Sequence, residues 1–211
     1  KAVEEGAAAV VCASTGNTAA SAATYATRAG IGAVILQPAG AVARGKIAQA
    51  QAVGALLLEV QGPFEAALDA ARELGRRGSH ALVNSLNPDR LEGQKTAAFE
   101  IVEELDGAPD VLALPYGGGG NTRAYALGFD ESGAGLPPIL AGEATERAFT
   151  MATAIRIAEP AHRVEAEAAI ARSGGAVVPL ADEEILAAWR DLARLEGVFC
   201  EPSSAAGVAA V

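Results

Sequence analysis

The sequence predicts an α/β fold built as two open, mostly parallel α/β domains. Two observations lead there: short apolar runs of strand length alternate with helical patterns, and glycines close those helical patterns at Gly30, Gly54 and Gly78. Strands alternating with helices in this way call for crossover connections and a parallel sheet. The first strand candidate is 8–13 ("AAVVCA"), followed by an alanine-rich helical stretch at 17–29. Then come a strand at 32–37 ("GAVILQ"), a helix at 42–53, a strand at 55–60 ("ALLLEV") and a helix at 63–77 with an acidic start. The strand at 80–84 ("HALVN"), the helical stretch 88–105 and the strand at 110–115 ("DVLALP") continue the rhythm. A helix begins near Asn121, "PPILAGE" and "GAVVPL" read as strands, and 182–196 reads as a helix that starts at an Asp182 cap. Two segments, 130–150 and 158–166, carry too little pattern for a βα unit and are expected to be mobile loops or places where residues are absent. A boundary near residue 84 divides the chain into a smaller domain, 1–84, and a larger one, 85–211, with a cleft between them.

Both ends look cut. "KAVEEG" reads as the last turn of a helix closed by Gly6, "PSSAAGVAAV" starts a helix and stops, and the one methionine is Met151. The expectation is a central fragment of a longer chain.

Of the 211 residues, 51% are apolar but only 4% aromatic, so the core must be aliphatic. The formal net charge of −10, with no Lys/Arg cluster, argues against a nucleic-acid or anionic-membrane surface. Any bound anion must therefore be held by backbone N–H groups and a few placed cations. No apolar run approaches the roughly 18 residues of a membrane span. Cys12 and Cys200 lie far apart among apolar residues, which suits buried thiols in a reducing compartment better than a disulfide. With two histidines, His80 and His162, and no close Cys/His spacing, no metal site is predicted.

In open α/β sheets ligands bind beyond the carboxyl ends of the strands, and three polar stretches fall there. In "STGNTAAS" (14–21), Gly16 permits a tight turn and the helix from Asn17 directs free N–H groups at the loop. Ser14, Thr15 and Thr18 add hydroxyls without charge, a set suited to a small carboxylate, although an ordinary capped turn has the same residues. In "YGGGGNT" (116–122), four consecutive glycines are entropically costly to order unless the backbone must approach a ligand. Several N–H groups and a helix N-terminus would then face a phosphate, in a loop that is neither a Walker loop nor G-x-G-x-x-G. A flexible linker is the competing reading. In "NSLNPDRLEGQKT" (84–96), Arg90 lies in the first turn of a helix, where the dipole disfavours a cation. A bound anion would remove that conflict, as would a surface pair with Asp89 or Glu92.

Together "ASTGNTAAS", "NPDRLEGQKTAAFEIVEEL", "ATAIRI" (152–157) and "GVFCEPSSAA" (197–206), in this order, resemble bacterial threonine synthases, within the tryptophan-synthase-β-like group of pyridoxal-phosphate enzymes. "STGNT" is shared across the wider group, whereas the segment from Asn84 to Thr96 is the specific one. The resemblance implies a pyridoxal 5'-phosphate site in the interdomain cleft and conversion of O-phosphohomoserine to threonine. It implies that Asn17 bonds the phenolic oxygen of the pyridoxal ring, and that Gly117, Gly118, Gly119, Gly120, Asn121 and Thr122 hold the cofactor phosphate. Ser14, Thr15 and Thr18 would face the substrate carboxylate, and Asn84, Ser85 and Arg90 would hold the substrate phosphate. A cytoplasmic homodimer is the expected setting, with no metal, nucleic acid or membrane involved. The family also needs a Schiff-base lysine in a Ser-Phe-Lys-Asp-Arg-like motif. None of the three lysines, Lys1, Lys46 and Lys95, has that context, so the lysine is expected upstream of Lys1. The tetraglycine loop departs toward related dehydratases. A threonine/serine dehydratase of the same fold is therefore the nearest alternative, and a non-catalytic cofactor- or amino-acid-binding protein the more distant one.

Overall fold

A computed structural model describes residues 1–40, 44–84 and 87–211, with the backbone alone for residues 44–46. The chain divides into two compact units, Lys1–Asp89 and Arg90–Val211.

In the first unit the strands are β1 (Ala9–Ala13), β2 (Gly32–Pro38), β3 (Leu56–Val60) and β4 (His80–Leu82). They form one sheet in the order β3-β2-β1-β4, every pair parallel. β1 is central and buried along its whole length, because helices cover both faces. On one face Val10 and Cys12 meet Ala19, Ala23 and Ala26 of α1 (Asn17–Arg28) and Ile47 and Ala50 of α2 (Arg44–Ala52). On the other, Val11 and Ala13 meet Ala67 and Ala71 of α3 (Phe64–Arg76). The alanine stripes explain the low aromatic content: small side chains let helices sit close to a Val/Ile/Leu sheet. α1 ends where Gly30 takes a φ of +75°, which an L side chain adopts only with strain. The opening "KAVEEG" forms one turn, Glu5 N–H bonding Lys1 C=O at 2.9 Å.

The second unit holds β5 (Leu112–Pro115), β6 (Ile139–Ala144) and β7 (Ala176–Leu180), parallel and in that order. Phe129, Ile139, Leu114 and Ile170 centre its core, and α6 (Gly120–Ser132) and α7 (Arg163–Arg172) contribute to it. A second cluster joins Leu180 to Ile185 of α8 (Asp182–Leu195) and Ala206 of α9 (Pro202–Ala209). α6 also packs against α5 (Thr96–Leu105) so closely that a Cβ on Gly128 would overlap the Lys95 carbonyl.

Several expectations change. The single helical stretch 88–105 is two helices, α4 (Pro88–Gln94) and α5, which meet at Lys95. There the Thr96 hydroxyl donates to the Gly93 carbonyl at 2.7 Å, competing with the helix ladder. The irregular 158–166 leads into α7, whose buried positions are Ala166, Ala169 and Ile170. A stripe so rich in alanine leaves little hydrophobic period to read. Within 130–150, α6 runs to Ser132 and β6 occupies Ile139–Ala144. Asp182 is not the cap of α8: the residue before the helix is Ala181, whose N–H is taken by Glu184 at 2.7 Å. The Asp182 carboxylate instead accepts from the Thr150 hydroxyl and from the Met151 N–H at 2.9 Å.

Candidate functional site

In the first unit the turn between β1 and α1 lies at the carboxyl edge of the sheet. Ser14 N–H still pairs with Leu36 C=O of β2 at 3.0 Å, and the chain then leaves the sheet. The Ser14 Oγ accepts the N–H groups of Gly16 and Ala19, each at 3.2 Å, and so caps α1 from two residues ahead of the Gly16 N-cap. Its own proton is the donor left to offer a ligand. Thr15 and Thr18 are half-buried and Asn17 is exposed. No acidic residue occupies the first turn of α1, so nothing in that turn opposes an anion.

Asn84, two residues past the end of β4, is placed differently. It is buried, its Oδ1 accepts the Ala13 N–H at 3.0 Å and its Nδ2 donates to the Ala13 C=O at 2.8 Å. The two bonds together fix the orientation of the carboxamide. β4 pairs with β1 as far as Leu82 opposite Val11, and Val83 N–H adds one bond to the Val11 C=O at 3.0 Å. The side chain of Asn84 supplies the next rung. Ala13 is buried, so losing that partner would strand a donor and an acceptor, at about 1–3 kcal/mol each. These two bonds use one N–H and one lone pair of the carboxamide, half of its hydrogen-bonding capacity. Asn87, which the sequence reading missed, donates to Leu82 C=O at 2.7 Å and accepts the Asp89 N–H at 2.8 Å, thereby starting α4. An Asn directly before a Pro was the available signal. Ser85 lies outside the described residues, and Arg90 is half-buried in α4.

In the second unit the glycine loop follows β5. Tyr116 N–H closes the strand onto Gly142 C=O at 2.7 Å, and α6 starts at Gly120. Gly119, the N-cap, has a φ of +80° and makes no side-chain cap. The first turn of α6 holds no acidic residue, so its dipole end is open to an anion. Thr122 sits in that turn, 1% exposed, and its Oγ1 finds no hydrogen-bond partner among the described residues. A buried hydroxyl without a partner beside an uncapped helix start fits a phosphate. Asn121 is exposed at the same start.

The glycines answer to a second requirement. A Cβ on Gly117 would stand 3.1 Å from Ile155 Cα, and one on Gly119 would stand 2.9 Å from the His162 carbonyl oxygen. Residues 150–162 therefore press on the loop, and His162 N–H bonds Gly118 C=O at 3.0 Å. Ala154 N–H donates to the Ser203 Oγ at 3.0 Å, while Arg147, ion-paired with Glu143, donates to Ile157 C=O at 3.2 Å. The Arg147 guanidinium also lies 5.2 Å from the Tyr116 ring centroid. Burial pushes the Tyr116 phenol above its ordinary pKa, with Arg147 opposing the shift.

The described lysine side chains are held as ammonium groups. Lys95 is engaged by Glu131 and Glu92, which raise its pKa, and Lys1 is raised by Asp89 and Glu5. Among the described residues no cluster of His, Cys, Asp and Glu could hold a metal, and no helix is long and apolar enough to cross a membrane.

The threonine synthase of Halalkalibacterium halodurans is 48% identical over 224 residues, an alignment covering 99% of this chain and 63% of that protein. The Synechocystis threonine synthase is 49% identical over 225 residues, covering 99% of this chain and 59% of that protein. The chain thus spans about three fifths of the length of these curated relatives. Among solved structures, maize serine racemase matches with a TM-score of 0.83 at 23% identity, covering 99% of this chain and 67% of the racemase. The processed form of threonine deaminase isoform 2 from Solanum lycopersicum matches with a TM-score of 0.81 at 24% identity, covering 98% and 61%. At such identities the structural likeness speaks for the fold, an α/β architecture of parallel sheets and helices. The family described as "Pyridoxal-phosphate dependent enzyme" matches residues 1–211, end to end, and with that match this chain belongs to it.

Proposed function

We propose that the chain is part of a threonine synthase, a carbon–oxygen lyase converting O-phospho-L-homoserine and water to L-threonine and phosphate. The observation that carries this reading is the identity of 48–49% to threonine synthases across practically the whole chain. The matches to racemase and deaminase structures, at 23–24%, extend no further than the fold.

Pyridoxal phosphate, the family's cofactor, supplies an electron sink when bound. The residues supply binding, orientation and neutralisation. The N–H groups from Gly117 to Asn121, the α6 dipole and the Thr122 hydroxyl hold the cofactor phosphate, for which the orphaned Thr122 Oγ1 is the supporting observation. Asn17 bonds the ring's phenolic oxygen. Ser14, Thr15 and Thr18 receive the substrate carboxylate, with Ser14 donating the proton its capping role leaves over. Ser85 and Arg90, together with the remaining N–H of Asn84, hold the substrate phosphate. In a chain of net charge −10, Arg90 provides the local cation that a phosphate needs. The working form is a cytoplasmic homodimer.

Arg90 separates this reading from a dehydratase, which needs no second phosphate pocket. In the complete gene product Arg90→Ala should lower kcat/KM for O-phosphohomoserine by well over about tenfold, since losing a desolvated charge partner costs about 2–5 kcal/mol. A surface Arg–carboxylate pair would cost only about 0–1 kcal/mol. Cofactor affinity should stay as in wild type. Normal turnover of phosphohomoserine by the variant would remove Arg90 from the site.

A further inference from the structure

We infer that Asn84 is a positioning residue for the Ser14–Thr18 loop, acting through Ala13 rather than chiefly as a phosphate ligand. The inference deepens the proposed function, resting on the reading of that loop as the carboxylate site. β4 is short, His80–Leu82, and diverges from β1 while β1 still has a residue to pair. Ala13, 2% exposed, is the last residue of β1 and the one before Ser14. A continuing strand would satisfy its N–H and C=O with two backbone groups. The Asn84 carboxamide presents the same acceptor and donor, at 3.0 and 2.8 Å, from 71 residues away in sequence. The end of β1 thereby stays anchored past the point where β4 stops pairing with it.

What the anchor holds follows from the neighbouring bonds. On the β2 side Ser14 N–H is tied to Leu36, and on the β4 side Ala13 is tied to Asn84, so the end of β1 is fixed from both flanks. That pins Ser14, whose Oγ organises the N–H groups of Gly16 and Ala19 at the start of α1. Asparagine has the donor and acceptor this requires in one short planar group. Aspartate keeps the acceptor but loses the donor, and alanine loses both.

The test is residue-resolved amide exchange by NMR on the complete gene product and on its Asn84→Ala and Asn84→Asp variants. In wild type a through-hydrogen-bond coupling should link the Ala13 amide nitrogen to the Asn84 side-chain carbonyl carbon. In Asn84→Ala, exchange at Ala13, Gly16 and Ala19 should quicken by at least about tenfold, while Val10 and Ala33, deeper in the sheet, keep wild-type rates. Asn84→Asp should fall between the two at Ala13. Wild-type exchange at those three amides in Asn84→Ala, with a loss of affinity for inorganic phosphate, would overturn the inference in favour of a phosphate ligand. Uniform acceleration throughout the first unit in both variants would also overturn it, marking Asn84 as a general stabiliser. Titration with L-threonine, followed at the Thr15 and Thr18 amides of wild type, examines the carboxylate reading separately. Silence there would refute that reading and leave the exchange pattern to decide the role of Asn84.

Discussion

Gly118 is the residue at which the glycine loop can be probed most cleanly. At Gly117 and Gly119 an added Cβ would meet backbone atoms of the 155–162 segment, so substitution there mixes packing with binding. At Gly118 the nearest neighbour is Ile157 Cδ1 at 3.5 Å, ordinary contact distance. Gly118→Asp therefore adds a negative charge near the start of α6 with little steric disturbance, and the helix dipole favours that charge for stability. Affinity for pyridoxal phosphate should fall by at least about tenfold, roughly 1.4 kcal/mol, while the unfolding midpoint stays level or rises. Unchanged affinity in a fluorescence titration would move the phosphate away from this loop. Sequence reasoning reached these glycines because they interrupt a strand-to-helix connection. It could not see why two of them must be glycine, since the atoms that crowd them lie about forty residues further along the chain.

At the scale of elements, the strands and most helices were legible because the strands are short, mainly aliphatic runs and the helices between the first four of them are followed by Gly30, Gly54 and Gly78. α7 was not, since Ala166 and Ala169 give almost no hydrophobic contrast with the exposed alanines beside them. The α8 start was located but its cap was misassigned, because the partners of Asp182 are Thr150 and Met151, 32 and 31 residues earlier. Those bonds tie the residues that lead into the 155–162 segment to the first turn of α8, and Thr150 is itself buried. Asp182→Ala should therefore destabilise the chain by about 1–3 kcal/mol in urea unfolding, the cost of stranding a buried hydroxyl and an N–H. A loss below about 0.5 kcal/mol, the range of an ordinary surface substitution, would mean that this anchor contributes little. Asn84 belongs to the same class of feature: its type and position at a strand end were readable, but its engagement with Ala13 spans 71 residues and has no local signature.

On the scale of the molecule, each unit follows one rule: polar loops stand at the carboxyl edge of a parallel sheet and are held by hydrogen bonds from elements distant in sequence. In the first unit these are the Ser14 loop and Asn84, and in the second the glycine loop and its flanking segment. The chemistry offered is hydroxyl and N–H donors with few cations, as a chain of net charge −10 requires for small anionic ligands. Under the proposed function those ligands are the cofactor phosphate and the carboxylate and phosphate of O-phosphohomoserine. Product analysis decides whether the proposed reaction takes place. The complete gene product, supplied with pyridoxal phosphate and O-phospho-L-homoserine, should release inorganic phosphate and L-threonine in equal amounts, with L-threonine left intact when offered as substrate. Deamination of L-threonine to its 2-oxo acid, with no phosphate released from phosphohomoserine, would rule out a threonine synthase and establish a dehydratase.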